Sequence, residues 1–150
     1  MLNEQIKATG ELRITLRDEN GNIKEDKTVP NLVVTVGKSV IASRLTGTTS
    51  SVMTHMALGT SSATPTGGDT TLGTEIGASR VALATSGGVA TANVIAYSAV
   101  FNAGVGTGAV VEAGIFNASS AGSMLCRTTF LAVNKAASDT LTIAWSVTIS

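Results

Sequence analysis

Few residues of this chain carry a charge. Asp, Glu, Lys and Arg make up 13% of its 150 residues, about half the share of an ordinary soluble domain. Ten basic residues cancel ten acidic ones, so no basic excess exists from which to build a nucleic-acid footprint. Aromatics stand at 3%, which leaves Val, Ile, Leu, Ala and Met to fill a thin aliphatic core. The single cysteine, Cys126, rules out an internal disulfide and with it a small secreted fold held by such bridges. It lies in the strand-like run 124–130 and reads as a buried, inert thiol. No apolar run approaches the roughly 18 residues of a membrane-spanning helix. The opening Met1-Leu2-Asn3-Glu4-Gln5 lacks the apolar core of a signal peptide. Neither a nucleic-acid nor a membrane partner is expected.

What the chain does have is alternation. Across residues 140–149, Leu141, Ile143, Trp145, Val147 and Ile149 fall on one side and Thr140, Thr142, Ala144, Ser146 and Thr148 on the other. A period of two fits a half-buried strand and cannot form one face of a helix. This strand, which holds the only Trp, is the one around which the rest is expected to be arranged. Leu12, Ile14 and Leu16 alternate with Arg13, Thr15 and Arg17, then the Asn20-Gly21 turn signal leads to a returning arm over 23–29. Pro30-Asn31 is expected to break that arm before a short buried strand over 32–36. Gly37 begins the only expected helix, near residues 38–46 and closed by Gly47. Further strands are expected over 52–58, 80–85, 93–101, 109–116 and 124–130. A long polar loop, 59–73, has too few apolar residues for a core of its own.

Eight or nine short strands with Gly-rich turns make the expected fold all-β: a two-sheet antiparallel sandwich, jelly-roll-like, with one short helix. Residues 1–150 read as a single domain, in which residues 1–30 form a charged arm and hairpin free to project from the body. Thirteen of the twenty charges lie in residues 1–44. The other seven are Asp69, Glu75, Arg80, Glu112, Arg127, Lys135 and Asp139. The surface of residues 45–150 should therefore be polar but nearly uncharged, as suits a rigid β-protein that packs against other proteins. A neutral chain with positive mean hydropathy has little to keep free copies apart, which points to an assembly.

Each motif for chemistry fails at a named position. Gly37-Lys38-Ser39 resembles the end of a phosphate loop, but Leu32 stands where the first Gly belongs. Residues 104–109 spell G-x-G-x-x-A yet open a strand rather than a helix. Asp18-x-Asn20-x-Asn22 begins like a calcium loop, but Ile23 replaces the Gly and Val29 the Glu. His55, the only histidine, has no carboxylate beside it, and one His with one Cys cannot make a zinc site. No residue is assigned to catalysis, to a cofactor or to a metal.

Three blocks in order carry a family likeness. They are residues 31–37 running into Ile41-Ala42-Ser43-Arg44-Leu45, then residues 53–60 with Thr71-Leu72-Gly73-Thr74-Glu75, then residues 106–109 into 112–117 and 124–128. Together they resemble small virion structural proteins of tailed bacteriophages, over roughly residues 31–150. The resemblance implies a non-enzymatic particle component located in the virion. The first expectation is a decoration or cement protein on the outer surface of the head, a homo-oligomer and most simply a trimer. It would contact the major capsid protein or other virion proteins through β-surfaces, edge strands and the charged hairpin. The alternative is a tail or collar fibre module that docks on the virion and faces the host. A small hydrolase is disfavoured by the single His and the missing carboxylate pair.

Overall fold

Alternating apolar residues become the inward faces of a sheet. In the computed structural model, which describes residue 2, residues 4–47 and residues 51–150, the strands are β1 (Ala8–Arg17), β2 (Ile23–Val33), β3 (His55–Gly59), β4 (Val81–Ala82), β5 (Val89–Thr91), β6 (Val94–Phe101), β7 (Gly108–Phe116), β8 (Met124–Lys135) and β9 (Thr140–Ile149). One helix, α1 (Thr35–Leu45), lies between β2 and β3. The fold is all-β apart from that helix. The strands form one antiparallel ladder in the order β4-β3-β7-β8-β2-β1-β9-β6-β5.

β9 has the position its pattern demands. It pairs with β1 over ten residue pairs and with β6 over eight. Leu141, Ile143, Trp145 and Val147 point inward and are buried. Trp145 stands between Leu12 and Tyr97, and Ile143 between Ile14 and Ala99. The ladder curls. At its far ends the Leu83 N–H donates to the Thr54 carbonyl at 2.8 Å and the Ala84 N–H to the Ser98 carbonyl at 2.9 Å, so the β3–β4 edge comes back to β6. One core therefore takes Leu12, Ile14 and Trp145 from one half of the sheet and Met56, Leu58 and Ile115 from the other.

The β1–β2 hairpin is integral rather than projecting, because β1 lies between β2 and β9. Pro30 does not break β2. It faces Glu11 of β1 one residue before Asn31, and the ladder then changes partner, with Leu32 and Val33 pairing to Arg127 and Cys126 of β8. Up to that switch β2 has no ladder pair with β8, so a proline without an N–H is tolerated there. Its carbonyl accepts the Thr128 hydroxyl at 2.6 Å.

The expected strand 32–36 is divided between the end of β2 and the first turn of α1, which begins three residues earlier than its sequence pattern indicated. Gly37 is buried in that turn, and a Cβ there would run into the Leu125 carbonyl. Its glycine is thus a close-packing device between helix and sheet. Gly47 closes the helix with a φ of 72° and an N–H to the Arg44 carbonyl at 3.3 Å. β8 extends five residues past its expected end, and the expected strand 80–85 shrinks to Val81–Ala82 because its later residues cross from β3 to β6. β5 had no counterpart in the sequence pattern.

Candidate functional site

β3 and β7 are buried on both faces. Inward they meet the main core. On their other face Ala57 and Phe116 join Val34, Leu72 and Met124 in a second, smaller apolar cluster. The cover on this side includes the polar loop 60–74, which contributes Leu72 and little else that is apolar. Charge holds it down instead.

Glu112 on β7 and Arg127 on β8 are nearly or fully buried. The Arg127 guanidinium donates through Nε to the Glu112 carboxylate at 2.9 Å and through Nη1 to Asp69 at 2.7 Å. Its Nη2 donates to the Ala63 carbonyl at 3.0 Å. Glu112 in turn accepts the backbone N–H groups of Ser61, Gly73 and Thr74 at 3.1, 2.9 and 2.7 Å. Gly59 makes room, since a Cβ at that position would collide with the Glu112 carboxylate. Burial opposes the Arg127 charge, but its bonds to Asp69 and Glu112 outweigh that and raise its pKa above the ordinary arginine value. The result is a loop pinned at both ends by two side chains of the sheet.

Asp69 belongs to the same clamp. The Thr66 N–H, opposed in part by burial, and then Arg127 hold its carboxyl below the usual carboxylate range. A carboxylate with a depressed folded pKa adds stability that is complete above its unfolded value, near ~3.9, and is lost as pH falls through the folded value. Acidification below about pH 4 should therefore release loop 60–74 ahead of the sheet. Hydrogen exchange at Ser61, Thr66, Gly73 and Thr74 across an acid series reads this out. Protection at those amides that persists until the whole chain unfolds would show that Asp69 does not hold the loop.

Two smaller pins repeat the device. Arg80 forms a two-point pair with Glu75 at 3.0 and 2.8 Å, lies 3.8 Å from the centroid of the Phe116 ring, and donates to the carbonyls of Ala118 and Ala121. At the β8–β9 turn, buried Lys135 donates to the carbonyls of Asn102 and Asp139 at 3.0 and 2.7 Å. Asp139 accepts Lys24 from β2 at 2.6 Å and the Ala136 N–H at 2.8 Å, and these two bonds, Lys24 first, depress its pKa.

The seven charges of residues 45–150 are thus largely internal: Glu112, Arg127, Lys135 and Asp139 are all buried. The surface of that region is even less charged than its sequence indicates. The outward face of β1, β9 and β6 is different. There Glu11, Arg13 and Thr28 border a shallow depression of about 400 Å³ floored by Ala96, Ser98 and Ala144. Arg13 pairs with Asp26 at 2.9 and 2.6 Å across the hairpin, and both remain substantially exposed.

The residues with potential chemistry are placed apart. His55 is half-buried on β3, with Nδ1 2.8 Å from the Thr54 hydroxyl. Cys126 is buried, and that burial pushes its thiol pKa up. Tyr97 is pushed up to about 12, first by burial. The Asp18 carboxylate is occupied by the N–H groups of Asn20 and Asn22, both at 2.9 Å, which makes the Asp18–Asn22 stretch a hairpin turn. Among the described residues no group of three or more His, Cys, Asp or Glu could hold a metal ion, and no helix is long and apolar enough to cross a membrane. Comparison with family models, characterised proteins and solved structures finds no match to this chain.

Proposed function

We propose that the protein is a non-enzymatic structural component of a tailed-bacteriophage virion, a decoration protein bound as a homotrimer to the outer surface of the head. In this reading the two halves of the curled sheet act as the two layers of a jelly-roll-like sandwich. One observation carries most weight: within residues 45–150 the chain turns Glu112, Arg127, Lys135 and Asp139 inward and uses them to fix its own loops. A rigid, nearly uncharged surface of Ser, Thr, Ala and Gly suits packing against a neighbouring protein with little desolvation cost. The likeness of residues 31–150 to small phage virion proteins supports the same reading. The exposed charges of the hairpin, Glu11, Arg13, Arg17 and Asp26, then supply register on the capsid.

Purified protein should bind undecorated heads, and binding should weaken as salt rises from about 0.1 to 1 M, where the screening length falls from about 10 Å to about 3 Å. Arg13→Ala combined with Arg17→Ala should weaken binding several-fold and leave the circular dichroism spectrum intact. A fibre or collar module would instead be missing from tailless heads and co-purify with tails. A monodisperse monomer with no affinity for heads or tails would sink both readings.

A further inference from the structure

Residue 2 with residues 4–7 makes a segment that leaves the body at the end of the sheet where α1 sits. Its last tie is a reciprocal pair at Lys7, whose N–H donates to the Ser150 carbonyl at 2.6 Å and whose carbonyl accepts the Ser150 N–H at 2.8 Å. Before that tie, Leu2 is 99% exposed and Ile6 82% exposed. Two branched aliphatic side chains therefore stand in water, in a chain that buries most of its others.

A groove of about 270 Å³ opens at the same end. Val40, Ile41 and Leu45 of α1, with Val52, Ile95 and Leu125, line it. Leu45 is 84% exposed and Val52 37% exposed, so the groove is open to solvent. Register places it beside the segment: Ile95 pairs with Val147, and Val147 with Gly10, three residues from Lys7. The charges are complementary. Arg44 stands on the groove rim and Lys38 lies on the same helix, whereas the segment carries Glu4 between its two aliphatics.

We propose that segment 2–7 of one copy seats Leu2 and Ile6 in the α1–β6 groove of a second copy, with Glu4 facing Arg44. Leu2 and Ile6 stand clear of their own groove, as their exposure shows. Because segment and groove share one end of the molecule, a single rotation axis lets copies cover one another's aliphatics and closes the assembly. The proposal names the contact within the homo-oligomer of the previous section and does not depend on where in the virion that oligomer sits.

Two single-cysteine additions decide between copies. An Ile6→Cys variant and a Leu45→Cys variant are purified separately, mixed and oxidised. Cys126 is buried and stays out of the reaction. The expected product is a disulfide-linked heterodimer that outweighs either homodimer on a non-reducing gel. Glu4→Arg should reduce that product, and Arg44→Glu on the partner should restore it. Removal of residues 1–6 should weaken self-association by roughly a hundredfold or more in sedimentation, with the thermal midpoint of the domain unchanged. The proposal is overturned if the mixture gives no heterodimer, if the Ile6→Cys/Leu45→Cys double variant links only within one chain, or if the truncated chain associates as before. Head binding measured on the same variants reports separately on the virion reading.

Discussion

Trp145→Ala is expected to remove about 3–5 kcal/mol of stability, at the top of the range for single core truncations. The side chain is 1% exposed and is the largest in the core. It stands at the centre of three paired strands, with Leu12 on one side and Tyr97 on the other, so no single neighbour can move in to fill the space. Trp145→Phe should recover more than half of the loss. The indole N–H has no hydrogen-bond partner among the described residues, so phenylalanine gives up volume and leaves no acceptor orphaned there. Chemical denaturation measures both. A midpoint unchanged by Trp145→Ala would place β9 outside the stabilising core.

Glu112→Ala should cost a comparable amount, about 3–5 kcal/mol, by a different route. It strips Arg127 of one of its two carboxylates and leaves the N–H groups of Ser61, Gly73 and Thr74 without their acceptor. The remaining guanidinium is the damaging part, because it stays buried with less compensation. Adding Arg127→Met to Glu112→Ala should therefore restore part of the stability, although it removes a second polar group. Loop 60–74 should stay loosened in both variants, as judged by limited proteolysis. A loss below about 1 kcal/mol for Glu112→Ala, the scale of an exposed ion pair, would mean that water replaces the clamp at no cost.

Burial that follows from local pattern could be read in advance. The face of β9 that holds Trp145 and the inward row Leu12, Ile14 and Leu16 follow from a period of two, and the burial of Cys126 from the habit of a free cysteine in a strand-like run. Features set by tertiary pairing could not. Pro30 signals a break to any local rule, yet it sits where β2 changes partner, which depends on β8 nearly a hundred residues later. Val89–Thr91 became a strand because β6 was there to pair with. The clamp was the largest omission. Arg127 finds Glu112 and Asp69 at separations of 15 and 58 residues, so no spacing rule joins them. A weak signal was present: one acid and one base, each inside an apolar strand and on the two arms of one hairpin, have nowhere to go but to each other.

The pairing of β1 with β9 bears on how the chain reaches this state. β1 is made early but obtains its second neighbour only when residues 140–149 exist, and β6 waits for the same strand. Until then the β1–β2 hairpin can form but shows an uncovered apolar row of Leu12, Ile14 and Leu16. Topologies dominated by such distant pairings fold in milliseconds to seconds rather than microseconds, and their half-made sheets are open to association with one another. The charges crowded on the two arms of this hairpin, Arg13, Arg17, Lys24, Glu25, Asp26 and Lys27, are expected to oppose such association before β9 arrives. Neutralising them should lower the yield of refolding at high concentration well before it lowers the stability of the finished fold.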